Sequence, residues 1–236
     1  MTGSALFPVA VLAGGLATRL HPVTQDIPKS LIEVAGEPFV FHQCRQLYRQ
    51  GIRDVVFCAG FLGEQIQERL GDGSQFGLSI QYSFDGEVLR GTGGAIRNAL
   101  PLLGPAFFVI YGDSYLFCDL RGIQESWEKS GQAALMTVYR NAGRWDTSNV
   151  EFDGQSIIRY DKRNKTPKMH YIDYGLGVFS ADVFSEYESQ PVQDLADIYQ
   201  ALLAAGELAG YEVTERFYEI GSFDGIRALD GFLRST

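Results

Sequence analysis

What most restricts the fold of this 236-residue chain is an alternation in its first 140 residues, where short unbroken apolar runs are separated by stretches with apolar residues at helical spacing. Residues 7–13, 52–59, 78–84, 107–111 and 132–139 are such runs. A strand buried on both faces reads this way, because neither of its sides meets water. Between the runs, Val40, Cys44, Leu47 and Tyr48 fall on one helical face, as do Ile66 and Leu70. Ile96, Ala99, Leu100 and Leu103 make a further stripe, and Leu120, Ile123 and Trp127 another. Pro38 suits the first turn of the first helix and Gly51 its end. Strand–helix–strand repetition predicts an α/β chain, with a mostly parallel sheet flanked by helices on both faces. Beyond residue 140 the rhythm changes: 150–152, 157–160 and 171–179 read as strands joined by turns, an antiparallel region inserted in the C-terminal half. A helix with Leu195, Ile198, Tyr199, Leu202 and Leu203 follows, and a last one carries Ile226, Leu229, Phe232 and Leu233. No repeat or linker-like tract divides the chain, so 1–236 is expected to form one domain.

Charge narrows the function classes. Twenty basic against 29 acidic residues leave a net charge of -9, which repels nucleic acid and anionic membranes as main partners. A small anionic substrate remains compatible if cations gather locally. Residues 1–4 carry no positive side chain and no apolar run is long enough to span a bilayer, so neither a signal peptide nor a membrane segment is expected. Cys44, Cys58 and Cys118 are odd in number, widely spaced and set among apolar residues; they read as reduced thiols of a cytoplasmic protein.

Chemistry concentrates after the strands. The first is followed by Leu12, Ala13, Gly14, Gly15, Leu16, Ala17, Thr18 and Arg19, then Pro28, Lys29 and Ser30. In a parallel sheet, ligands collect beyond the carboxyl ends of strands. Adjacent glycines there let backbone N–H groups approach a phosphate, while Arg19 and Lys29 supply fixed positive charge for a polyphosphate. The spacing is not that of a Walker loop. Gly112-Asp113 follows the strand ending at Tyr111 and places a carboxylate at the same crevice, suited either to Mg²⁺ or to capping a turn. A second carboxylate, Glu219, ends a short strand in front of the last helix. Gly91-Thr92-Gly93-Gly94-Ala95 opens a helix and admits either close contact with a base or ribose, or plain helix packing.

Leu12 to Lys29, Gly91 to Ala95, Gly112-Asp113, Tyr160-Asp161-Lys162, Ile172 to Phe179 and Glu219 to Ser222 stand in the order found in sugar-phosphate nucleotidyltransferases. The chain resembles that family, the NDP-sugar pyrophosphorylases, over nearly its whole length, and within it the small bacterial heptose 1-phosphate guanylyltransferases and N-acetylmuramate 1-phosphate uridylyltransferases. The resemblance implies a Rossmann-like, GT-A-like sheet, with 1–140 holding a nucleotide and 141–236 a sugar phosphate. It implies an NTP and a sugar 1-phosphate as substrates, Mg²⁺ as cofactor, and an NDP-sugar and pyrophosphate as products. Leu12, Ala13, Gly14, Gly15, Thr92 and Gly93 would then hold the nucleotide. Arg19 and Lys29 would stabilise the leaving pyrophosphate, and Asp113 with Glu219 would bind the metal. Asp161, Lys162, Asp173 and Gly175 would contact the sugar phosphate. It leaves monomer and homo-oligomer both open.

Three departures from the family pattern stand out. Asp173-Tyr174-Gly175 replaces Asn-x-Gly, Glu219 replaces an Asp, and 85–90 lacks the Glu-x-Pro-Leu-Gly-Thr spacing of many guanylyl and thymidylyl members. Alternatives to the sugar 1-phosphate reading are a cytidylyltransferase for a non-sugar phosphate, a glycosyltransferase, and a non-catalytic nucleotide-sugar-binding subunit.

Overall fold

Seven strands form the central sheet of the computed structural model, which describes residues 5–15, 20, 24–86, 88–145, 147–187 and 192–235. In chain order the first half runs β1 (Val9–Leu12), β2 (Glu33–Val34), β3 (Glu37–Pro38), α1 (Phe39–Arg49), β4 (Asp54–Ala59), α2 (Gly63–Leu70), β5 (Ser79–Phe84), α3 (Gly91–Leu103), β6 (Ala106–Tyr111) and β7 (Ser114–Tyr115). Then come α4 (Leu120–Ser130), β8 (Ala134–Tyr139), β9 (Val150–Phe152), β10 (Ile157–Tyr160), β11 (Ile172–Ser180), α5 (Leu195–Ala205), β12 (Leu208–Val213), β13 (Tyr218–Glu219) and α6 (Phe223–Ser235). The sheet order is β12-β8-β11-β6-β1-β4-β5. All neighbours pair in parallel except β11, which is antiparallel to both β6 and β8.

Alternate residues of each strand feed two cores. Ala10, Val56, Phe107, Val109 and Met136 pack against α3 and α5, while Val9, Val11, Phe57, Phe108 and Ile110 pack against α1, α2 and α4. That period of two against two helical layers is what the sandwiched sheet requires. A third cluster of Val34, Phe39, Tyr115, Ile220 and Leu229 fastens α6 and the small β7–β13 ribbon to the body. Among the described residues no helix is long and apolar enough to cross a membrane.

The expected antiparallel region is divided between two places. β9 and β10 pair as a hairpin outside the main sheet, whereas β11 lies inside it and touches β9 only through a Val150–Tyr171 bridge. Residues 174–179 are buried without interruption, which is why this strand sits between two others. Pro38 also departs from expectation: it precedes the first helical residue, Phe39, rather than occupying the first turn.

Strand order positions the crevice. From β1 the chain builds outward through β4 and β5, then returns to the other side of β1 with β6. At such a reversal the loops leaving two adjacent parallel strands diverge and open a crevice at their carboxyl ends. Here those loops are 13–15 and 112–113. Because β11 is antiparallel, its first residues also arrive at that edge, with Leu176 beside Ile110.

Candidate active site

Two cavities meet at this edge. The first, about 240 Å³, is lined by the β1 loop (Leu12 to Gly15), Lys29 and Ser30, Asp85, Thr92 at the start of α3, and Tyr111 to Asp113. The second, about 560 Å³, is formed mainly by later segments, including Lys162, Asp173, Gly175, Arg216 and Glu219, yet it shares Tyr111 and Asp113 with the first.

Close backbone packing builds the first cavity. The Ala13 N–H donates to the Cys58 carbonyl at 2.9 Å and the Gly112 N–H to that of Leu12 at 2.9 Å, so both loops continue their strands rigidly. A Cβ on Gly14 would lie 3.1 Å from the Gly60 nitrogen, and one on Gly112 2.8 Å from the Leu12 oxygen. Gly15 differs, since no described atom lies within 4 Å of its Cβ position. There the missing side chain leaves open space over the loop. Arg19 lies outside the described residues.

Lys29 sits on a 3-10 turn whose Lys29 and Ser30 line the first cavity, and its Nζ is 2.6 Å from Asp113 Oδ2. Both side chains are about one-fifth exposed, at 21% and 22%. Asp113 is held by the Ile220 N–H, which donates to its carbonyl at 2.9 Å. The β7–β13 ribbon sets Glu219 opposite Ser114, next to Asp113. The two carboxylates converge: a Cβ on Gly221 would collide with Glu219 Oε2 and lie 3.7 Å from Asp113 Oδ2. Glu219 is oriented by the Gly221 N–H, which donates to Oε2 at 3.0 Å. Among the described residues no group of three or more His, Cys, Asp or Glu forms a protein-only metal cage. Two hard-oxygen carboxylates where the two cavities meet instead fit Mg²⁺, which takes one or two carboxylates and fills its shell with phosphate oxygens and water.

In the second cavity, Lys162 Nζ lies 3.5 Å from the Tyr111 hydroxyl and 3.8 Å from Asp173 Oδ2. Asp173 sits where the β8–β11 register shifts, and Gly175 beside it has φ +91°. A bulge of this kind re-aims a side chain, and here the Gly175 N–H donates to Asp173 Oδ1 at 3.0 Å. The carboxylate, only 6% exposed, therefore aims at Lys162. Burial, reinforced by the Asp173 charge, holds the Tyr111 phenol well above its ordinary range, so it stays protonated.

Two expected contacts lie elsewhere. Gly93 does not line the first cavity: its N–H donates to the Gln193 carbonyl at 2.9 Å, and a Cβ there would sit 2.8 Å from Ile198 Cδ1. This glycine serves helix packing against α5. Asp161 lines neither cavity, and its Oδ1 caps its own turn by accepting from Arg163 N–H at 2.8 Å and Asn164 N–H at 2.7 Å. Those two bonds hold its carboxyl below the usual range. Thr92 lines the first cavity, though its Oγ1 is already engaged with Leu195 N–H at 2.7 Å and Asp194 Oδ1 at 3.1 Å, which ties α3 to α5.

The sequence reading assigned no role to Asp85, Ser30 or Arg216, and each lines a cavity. Ser30 Oγ and Asp85 Oδ1 are buried without a hydrogen-bond partner. Burial raises the Asp85 carboxyl above its ordinary 3.8, against the opposing pull of the Arg90 N–H and charge. The folded state therefore loses stability as pH climbs past 3.8, because it must place a charge where water is scarce. Asp85→Asn is expected to raise the melting midpoint at pH 7, and the gain should shrink as pH falls toward 3.8. A change of about 1 kcal/mol moves the midpoint of a chain this size by about 2–4 °C, so melting curves at several pH values would show it. An equal gain at every pH would mean that charge burial is not its origin. Cys58, which also lines the first cavity, is pushed up to about 12 by burial and so remains a thiol rather than a nucleophile.

Comparison with known proteins identifies the fold and the family. A crystal structure from Bacillus anthracis with bound sucrose, named a glucose-1-phosphate thymidylyltransferase, superposes with a TM-score of 0.85 over 97% of this chain and 96% of its own, at 23% identity. That likeness establishes the fold. The N-acetylmuramate alpha-1-phosphate uridylyltransferase of Neisseria meningitidis is 29% identical over 219 residues, 90% of this chain and 92% of its own. The D-glycero-alpha-D-manno-heptose 1-phosphate guanylyltransferase of Campylobacter jejuni is 30% identical over 180 residues, covering 76% and 79%. A model of the family described as nucleotidyl transferase matches residues 9–235, and to that family the chain belongs.

Proposed function

We propose that the protein joins an NTP to a sugar 1-phosphate, forming an NDP-sugar and releasing pyrophosphate. The observation that carries this reading is the shared wall: Tyr111 and Asp113 line both cavities, so a ligand in each would present phosphates to one carboxylate. The relatives that act on sugar 1-phosphates support the same choice. In this reading, residues 1–140 contribute the NTP site and 141–236 most of the acceptor site within a single domain.

The reaction is an in-line displacement. An acceptor phosphate oxygen, already ionised at neutral pH, bonds to the α-phosphorus while the bond to pyrophosphate breaks. No general base is required, and positioning with charge neutralisation accounts for the catalysis. Asp113 and Glu219 would hold Mg²⁺, which supplies charge neutralisation on the phosphates when bound. Lys29, paired to Asp113 in the free protein, is placed to turn toward the departing pyrophosphate, a role that Arg19 would share. Backbone N–H groups of the β1 loop cradle the triphosphate. Lys162 holds the acceptor phosphate, and Asp173 positions Lys162. This local charge is how a protein of net charge -9 admits two polyanions.

Incubation with Mg²⁺, each common NTP and a panel of sugar 1-phosphates should release pyrophosphate only when one NTP and one sugar phosphate are both present. Release from an NTP alone, or with non-sugar phosphates only, would refute the reading. Asp173→Asn replaces the charge that faces Lys162 with a neutral amide. It is expected to alter KM and the ranking of sugars more than kcat, and an unchanged ranking would place Asp173 outside the acceptor pocket.

A further inference from the structure

Two cations that line the acceptor cavity, Lys165 and Arg216, are not used by that mechanism, and Arg216 is the one fixed by its neighbours. Arg216 is clamped between two aromatic rings, with its Cζ 3.6 Å from the centroid of Trp145 and 4.5 Å from that of Tyr218. Trp145 comes from the β8–β9 loop and is 48% exposed, so much of its surface lies open beside the cavity. Two other stacked arginines of this protein are also hydrogen-bonded. Arg45, over Phe76, pairs with Glu37, and Arg53, over Tyr48, donates to backbone carbonyls. Arg216 has the stacking alone: its Nε is buried without a partner, and no described carboxylate forms an ion pair with it.

The acids around the cavity are already committed. Asp113 pairs with Lys29, Asp173 with Lys162 and Asp224 with Arg227, while Glu219 is held by Gly221 and faces Asp113. Stacking fixes a guanidinium in place without neutralising it and leaves its edge free for a planar, two-pronged contact.

Position indicates what that edge meets. Glu219 pairs with Ser114 and Tyr218 with Tyr115, so each step back along the chain toward Arg216 leads away from Asp113. Arg216 stands two residues before that ribbon and lines the second cavity but not the first. The acceptor's reacting phosphate must lie at the Asp113 end, beside the donor. Absent from the donor cavity and stacked on Trp145, Arg216 is positioned for a part of the sugar other than that phosphate.

We propose that Arg216 binds a second acidic group, carboxylate or phosphate, on the acceptor sugar and makes the protein selective for sugar 1-phosphates that carry one. The inference rests on the sugar 1-phosphate reading above. A hydroxyl at that position would leave the guanidinium without its counter-charge, whereas an anion gains a charge-assisted, bidentate pair.

The test compares matched acceptors with Mg²⁺ and the preferred NTP: glucose 1-phosphate against glucuronate 1-phosphate and glucose 1,6-bisphosphate, and N-acetylglucosamine 1-phosphate against N-acetylmuramate 1-phosphate. The expected result is a kcat/KM at least tenfold higher for an acidic member than for its neutral match, and which acid wins distinguishes carboxylate from phosphate. Arg216→Gln should collapse that ratio toward one, mainly through a raised KM for the acidic sugar. Arg216→Lys, which keeps the charge but loses the fork, should fall between. Trp145→Ala should also reduce the ratio, because it unclamps the guanidinium. Equal or better use of the neutral sugars by the wild type overturns the proposal while leaving the nucleotidyltransferase reading intact, as does an acidic preference that survives Arg216→Gln. Should Arg216→Gln not fold, the wild-type ratios decide alone. No pyrophosphate from any sugar 1-phosphate would remove the underlying reading and this inference with it.

Discussion

Lys29→Ala and Asp113→Asn are each expected to lower kcat by at least about a hundredfold, equivalent to roughly 2.7 kcal/mol of lost transition-state stabilisation. Lys29 Nζ and Asp113 Oδ2 stand 2.6 Å apart where the two cavities meet, the place at which the proposed reaction would move charge from the α-phosphate to the leaving pyrophosphate. Removing the ammonium leaves that growing charge uncompensated. If Asp113 holds Mg²⁺ as proposed, replacing the carboxylate with an amide would weaken that hold, so Asp113→Asn should also shift the Mg²⁺ dependence of the rate to higher concentration, whereas Lys29→Ala should not. The two losses should not add fully, because each residue faces the other in the free protein. Initial rates of pyrophosphate release across a Mg²⁺ titration would check all of this. Near-normal turnover in either variant would remove that residue from the mechanism.

Gly91→Ala is expected to destabilise the protein by about 2–4 kcal/mol, lowering the melting midpoint by roughly 4–16 °C. Gly91 has φ +72°, where an alanine is strained, and a Cβ there would collide with the carbonyl oxygen of Gln193. Both atoms belong to backbone, so no side-chain rotation relieves the overlap. The start of α3 would have to move off the 193 segment, breaking the bond from Gly93 N–H to that same carbonyl. Since Gly91 and Thr92 line the first cavity, KM for the NTP should rise with the loss of stability. Gly15→Ala makes the instructive contrast. No described atom lies within 4 Å of its Cβ position, so its midpoint should change little while KM for the NTP rises. Thermal melts paired with NTP titrations distinguish the two, and a Gly91→Ala protein as stable as the parent would show that the 193 segment yields more easily than its packing suggests.

Much of the site was legible because it is local. Gly14-Gly15 and Gly112-Asp113 each follow directly on a continuous apolar run, and such a run in an α/β pattern ends at the ligand edge of a parallel sheet. Asp161 shows the limit of motif reasoning. It stands beside Lys162 in the chain, yet its carboxylate closes its own turn while Lys162 reaches Tyr111. Gly93 shows the same: the glycine pattern is real, but its second member makes room for Ile198 rather than for a ligand.

By itself, the amino-acid sequence determined the α/β class, the two core-facing sides of each strand, and the loops at the ligand edge of the sheet that are proposed to bind phosphate. All of these follow from periods of 2 and 3.6 residues and from residue types set next to one another. Only the tertiary structure decided that β11 lies between β6 and β8, that Lys29 meets an aspartate 84 residues away, and that Glu219 converges on Asp113 through the β7–β13 ribbon. It alone buried Asp85 without a partner for one oxygen and stacked Arg216 on Trp145. The reason is physical: strand order and the meeting of distant side chains depend on how whole elements fill space together. Periodicity specifies which face of an element is buried, but not which neighbour covers it.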